Sequence, residues 1–123
     1  GAMSYPLGAH YKIPHGICGG MFALSVVRYN INGGYYGYSE LYELIKGSAH
    51  TLSQEQMCED FISKMQELFD TLDVPKSLSI FGIGQDRFEH ICEIMQGMQG
   101  AFDQNPVPLK VEDVGAIIRP FIN

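Results

Sequence analysis

The sequence predicts an all-α fold, a helical bundle without strands. Residues 53 to 72 repeat their apolar positions at helical spacing over roughly five turns. Residues 16 to 29 form an apolar stretch of helical length, and no segment shows the apolar–polar alternation of a strand. These observations decide the class.

Length and composition bound the rest. With 123 residues, the chain can close a modest core and is one domain or part of one. Hydrophobic residues at 46% and charged residues at 18% fit a globular domain. The net charge is -6 and the eight basic residues are scattered, which argues against nucleic acid as a partner. Cys18, Cys58 and Cys92 are odd in number, far apart and outside any CxxC pattern. A disulfide framework and a cysteine zinc site are thereby disfavoured, and small core cysteines in a reducing, cytoplasmic setting are expected. No apolar run approaches the ~20 residues of a membrane span. Gly1-Ala2-Met3 reads as the remnant of a cleaved tag, which leaves residues 4 to 123 as the folded part.

Along the chain, residues 4 to 15 read as an extended loop, because Tyr5-Pro6 and Ile13-Pro14 bias their first residues away from helix. A helix follows from about Gly16 to Tyr29. It is apolar nearly all round, so burial on most sides is expected. Asn30 to Gly34 ends it. A short helix over Tyr38 to Lys46 stops at Gly47. The cluster Tyr29, Tyr35, Tyr36, Tyr38 and Tyr42 is expected to be partly buried. Ser53 and Gln56 form a capping-box signature. The helix they open carries Met57, Phe61, Met65, Leu68 and Leu72 on one face, widened by Ile62 and Phe69.

Asp73-Val74-Pro75 breaks that helix. Ser77 to Gly84 fits either a short helix or an irregular loop. Asp86 and Glu89 make a second capping-box signature, before an apolar face of Phe88, Ile91, Cys92, Met95 and Met98. Asn105-Pro106-Val107-Pro108 is a stiff connection to a last helix from about Val111, with Val114, Ile117, Ile118 and Phe121 as its face.

Four histidines are candidates for chemistry. His15 stands between Pro14 and Gly16, where a stiff loop meets an apolar helix. Proline fixes the approach and glycine leaves room beside the ring. Two roles stay open for it, a metal ligand or a hydrogen-bonded structural residue. His10 lies in the same loop, but two histidines do not complete a catalytic metal site. His50 reads as solvated, and His90 as a surface residue on the polar side of its helix with Asp86 and Glu93. Gly82-Ile83-Gly84 lacks the context of a phosphate-binding loop and marks a turn. No catalytic residue of this chain can be named, and a non-enzymatic helical interaction module or degenerate homologue is the competing reading.

The run from Tyr5 to Gly16, centred on Pro14-His15-Gly16, resembles the iron-containing (group III) alcohol dehydrogenases of the dehydroquinate synthase-like superfamily. The following helix with Tyr29-Asn30, the segment Asp73-Val74-Pro75-Lys76-Ser77-Leu78 and the segment Asn105-Pro106-Val107-Pro108 resemble later parts of that family in the same order. The resemblance implies the helical C-terminal part of a two-domain dehydrogenase, truncated here, behind an N-terminal nucleotide-binding domain. It also implies that His15 is the last of four metal ligands. The family's preceding histidine ligand stands fourteen residues earlier, which here is Gly1. Another family histidine, ten residues before the last ligand and near the nicotinamide, is replaced by Tyr5. Lys110 stands where a capping Ser or Thr is more usual. For the intact enzyme the resemblance implies Fe2+ (or Zn2+), NAD(P) and an alcohol/aldehyde substrate. For the isolated chain it implies no bound cofactor, no activity and possible self-association through an uncovered part of the 16–29 helix.

Overall fold

A computed structural model of the chain describes residues 1–47 and 51–123. His50 lies outside the described residues. Among those residues every regular element is helical, as the periodicity predicts.

The first element corrects an expectation. Residues 4 to 11 form a helix, α1 (Ser4–Tyr11), rather than an extended loop. Pro6 occupies its first turn, where backbone N–H groups have no intrahelical acceptor, so the missing donor costs no helical bond. Burying Pro6 and Leu7 then holds the helix on the core, and Met3, in the stretch expected to lie outside the folded part, is buried with them. Lys12 ends α1 in the left-handed conformation (φ 57°), and its N–H reaches the Gly8 carbonyl at 3.0 Å. The chain turns back so closely that a Cβ on Gly8 would lie 3.3 Å from the Ile13 carbonyl.

The second helix, α2 (His15–Asn32), starts one residue earlier and ends three later than its composition predicts. It touches α1, the long helix α4 (Gln54–Thr71) and the last helix α7 (Val111–Ile118). One stretch of it, with Cys18, Met21 and Phe22, joins the main core of Leu7, Leu78, Ile91, Met95, Val114 and Ile118. Its later residues Val27 and Ile31 join Cys58 and Ile62 in a second cluster. Between them α3 (Tyr38–Lys46) packs on α4, with Tyr42 buried and Tyr36 and Tyr38 against the second cluster.

The capping box at α4 is formed as read: Gln56 N–H donates to Ser53 Oγ at 3.1 Å, and Ser53 N–H donates to Gln56 Oε1 at 2.9 Å. The buried row differs. Met57, Cys58 and Ile62 are buried and Met65 and Phe69 half-buried, while Leu68 and Leu72 stay 53% and 63% exposed. The row that packs inward is centred on Cys58, Ile62, Met65 and Phe69, which leaves Leu68 and Leu72 at its margin. The helix closes with Asp73 in the left-handed conformation (φ 52°) and Val74 N–H bonded to the Phe69 carbonyl at 3.0 Å. Lys76 Nζ sits 3.0 Å from Asp70 Oδ1. That ammonium, with the Gln66 amide, holds the Asp70 carboxyl below its ordinary range.

Residues 77 to 84 resolve into a short 3-10 turn, Leu78–Phe81, ended by Gly82 at φ 74°. A second 3-10 turn, Gln85–Arg87, feeds α5 (Phe88–Gln96), and this overturns the capping box expected of Asp86 and Glu89. An N-cap needs a non-helical backbone, whereas Asp86 already lies inside the turn. Ile91 and Met95 are buried as predicted, and a short α6 (Gln99–Phe102) anchors Phe102. At α7, Asp113 Oδ2 accepts from Lys110 N–H at 2.9 Å, so the lysine at the cap position is compensated from within the first turn.

The connection before α7 is clamped to the end of α2. Asn30 is buried and exchanges amide bonds with Asn105 at 2.6 and 3.3 Å, and Tyr29 Oη donates to the Pro108 carbonyl at 2.6 Å. A Cβ on Gly33 would lie 2.6 Å from Val107 Cγ1, so any side chain there would have to displace Val107. The polypeptide ends tied down, with Gln85 Nε2 donating to the Ile122 carbonyl at 2.8 Å.

Candidate metal centre

His15 is held from two sides. Upstream, Ile13 is buried and Pro14 is extended (φ -55°, ψ 131°), which brings the chain into α2 with His15 as its first residue. From α1, the buried Ser4 places Oγ 3.2 Å from His15 Nδ1. The same Oγ donates to the Gly1 carbonyl at 2.7 Å, and Ser4 N–H reaches that carbonyl at 3.1 Å. The His15 ring remains exposed, and among the described residues no hydrogen bond engages Nε2.

Sequence reasoning missed Ser4. Its hydroxyl type is common, and only the turn back at Lys12 and Ile13 makes it a neighbour of His15. The position fourteen residues before His15 is Gly1, whose carbonyl anchors Ser4. Tyr5 is 69% exposed and follows Ser4 in the first turn of α1. Cys18, one helical turn after His15, is fully buried, and burial pushes its thiol up to about 11 against the opposing pull of the terminal ammonium. It therefore stays a neutral thiol rather than an anionic donor.

Of the described histidines, His10 and His90 do not join this centre into a complete ligand set. His10 and His90 meet edge to face with ring centroids 6.1 Å apart, and His90 Nδ1 is 3.9 Å from Glu93 Oε2. Among the described residues, no group of three or more His, Cys, Asp or Glu side chains could hold a metal ion. Among the described residues, the chemistry at this point is one exposed imidazole whose Nε2 has no hydrogen-bond partner. Beside Ser4 a pocket of about 250 Å³ runs along α2 past Gly19, Phe22, Ala23 and Val26. No helix among the described residues is long and apolar enough to cross a membrane.

Comparison with known proteins places the chain in a family. The chain is 26% identical over 118 residues to a 1,3-propanediol dehydrogenase of Klebsiella pneumoniae, covering 96% of this chain and 30% of that protein. It is 22% identical to long-chain-alcohol dehydrogenase 1 of Geobacillus thermodenitrificans, over 94% of this chain and 29% of that protein. A crystal structure of 1,3-propanediol oxidoreductase superposes with a TM-score of 0.74 at 25% identity, over 96% of this chain and 31% of that one. The chain therefore spans about 30% of the length of the relatives it matches. The profile of the Fe-containing alcohol dehydrogenase family, C-terminal part, matches residues 1–122, and the chain belongs to that family.

Proposed function

We propose that this chain supplies one metal ligand, His15, and one wall of the active-site cleft to an NAD(P)-linked alcohol dehydrogenase, and that it is inactive alone. The observation that carries this reading is the exposed His15 ring, oriented by the Ser4 contact at Nδ1 and left open at Nε2. His15 would hold Fe2+ or Zn2+ together with ligands from outside this chain. When bound, the metal supplies Lewis-acid stabilisation of charge on the substrate oxygen, and the nicotinamide supplies the hydride chemistry. Pro14 and the start of α2 keep the ring in place, while Ser4 limits its rotation. Tyr5 lines the cleft near the nicotinamide and offers a phenol for hydrogen bonding there. The partner is the nucleotide-binding domain of a longer protein, and the substrate is an alcohol/aldehyde pair. The relatives' names, which specify 1,3-propanediol, long-chain alcohols and butanol, favour primary alcohols. Alone, the chain self-associates through its uncovered apolar surface.

The test uses this chain joined to its nucleotide-binding part. His15→Ala is expected to lose the bound metal, measured by elemental analysis, and to lower alcohol oxidation more than ~100-fold, beyond what removal of an outer-shell partner costs. The 123-residue chain alone, given Fe2+ and NAD(P), is expected to oxidise no alcohol. Turnover by the isolated chain, or full metal content in the variant, would overturn the proposal.

A further inference from the structure

We infer that Ser4 is a positioning residue that fixes the tautomer of His15, keeping the proton on Nδ1 and the lone pair on Nε2. Hydrogen-bond accounting leads there. A serine hydroxyl has one proton to donate and lone pairs with which to accept. The Gly1 carbonyl can only accept, and it lies 2.7 Å from Ser4 Oγ, so the proton goes to that short bond. The remaining contact, 3.2 Å to His15 Nδ1, must then run from the ring to the hydroxyl. Nδ1 carries the hydrogen, and Nε2 is left as the only ring nitrogen able to bind an electrophile.

Two further features make this arrangement more than incidental packing. Ser4 is almost wholly buried, so its hydroxyl cannot turn to water without giving up both bonds. The Gly1 carbonyl also accepts Ser4 N–H at 3.1 Å, which anchors the acceptor and thereby the direction of the hydroxyl proton. A histidine free in water holds its proton mainly on Nε2, so this contact reverses the intrinsic preference. A ring locked this way meets a metal without first moving a proton between its nitrogens.

This inference takes its purpose from the ligand role proposed for His15, but it is measured without metal. Nitrogen-15 NMR of the histidine rings is recorded at roughly pH 8.5, about two units above an ordinary imidazole pKa. The His15 signals are identified by their loss in His15→Gln. The wild-type chain is expected to show a pyrrole-like Nδ1 and a pyridine-like Nε2. In Ser4→Ala the pattern is expected to invert to mainly Nε2–H. Ser4→Thr is expected to restore it, because a threonine hydroxyl in a helix can also bond the carbonyl one turn back. A wild-type ring protonated mainly on Nε2 would overturn the inference, and so would a pattern unchanged in a folded Ser4→Ala. If Ser4→Ala fails to fold, the wild-type and Ser4→Thr spectra still decide. A ring protonated on Nδ1, in a longer enzyme whose metal survives His15→Ala, would support the role of Ser4 and defeat the ligand role of His15.

Discussion

Tyr11 buries its hydroxyl oxygen with no hydrogen-bond partner among the described residues. An unpaired buried polar group costs about 1–3 kcal/mol. Tyr11→Phe removes the group and keeps the ring, so it is expected to leave stability unchanged or raise it by up to ~2 kcal/mol. Urea unfolding checks this, and a loss beyond ~1 kcal/mol would show that the hydroxyl is engaged. At this scale the centre was half legible. His15 stood out because a proline and a glycine flank it, and both have strong backbone consequences. Ser4 did not, since its role depends on a contact across eleven residues that no local pattern encodes. Asn30 and Asn105 are similar: each is an ordinary end-of-helix or loop residue, and only folding shows that they satisfy one another.

At the scale of elements, α1 shows where local rules mislead. Two prolines suggested a loop, but Pro6 falls where a helix has no bond to lose. Its C-terminus offers a test. Lys12 sits at φ 57°, a conformation that costs an L-residue about 1–2 kcal/mol and glycine almost nothing. Lys12→Gly is therefore expected to stabilise the chain by about 1 kcal/mol, seen as a higher urea midpoint with an unchanged slope. A lower midpoint would mean that the lysine side chain contributes more than the strain removes. The two capping-box signatures make the same point from both sides. Ser53 and Gln56 form the box because Ser53 is extended (φ -69°, ψ 163°). Asp86 has the right spacing to Glu89 but lies inside a 3-10 turn. Residue types were equal to the task in both places, and backbone conformation decided between them.

For the molecule as a whole, the helical class followed directly from periodicity, and the order of helices α2, α3, α4 and α7 followed with it. Which surfaces lie open did not. The open apolar surface was expected on the α2 helix, yet much of it lies on α3, where Leu44 and Ile45 are 83% and 69% exposed. Their helical spacing from Leu41 makes a continuous stripe, which a sequence alone cannot distinguish from a core-facing one. Self-association is accordingly expected to depend on this stripe. Light scattering of the isolated chain should show mass rising with concentration, and Leu44→Lys should reduce that rise. A monomer at every concentration would remove the basis for assigning the stripe this role.

The amide pair of Asn30 and Asn105 also has a temporal side. It joins residues 75 positions apart, and contacts of such long range form only after a large loop has been closed. During synthesis α2 leaves the ribosome long before its partner segment exists. Until Asn105 follows, the Asn30 amide N–H has the Tyr38 hydroxyl at 2.9 Å as a partner, while its carbonyl oxygen is left to water. The last fifth of the chain therefore completes the interior of a helix made near its beginning.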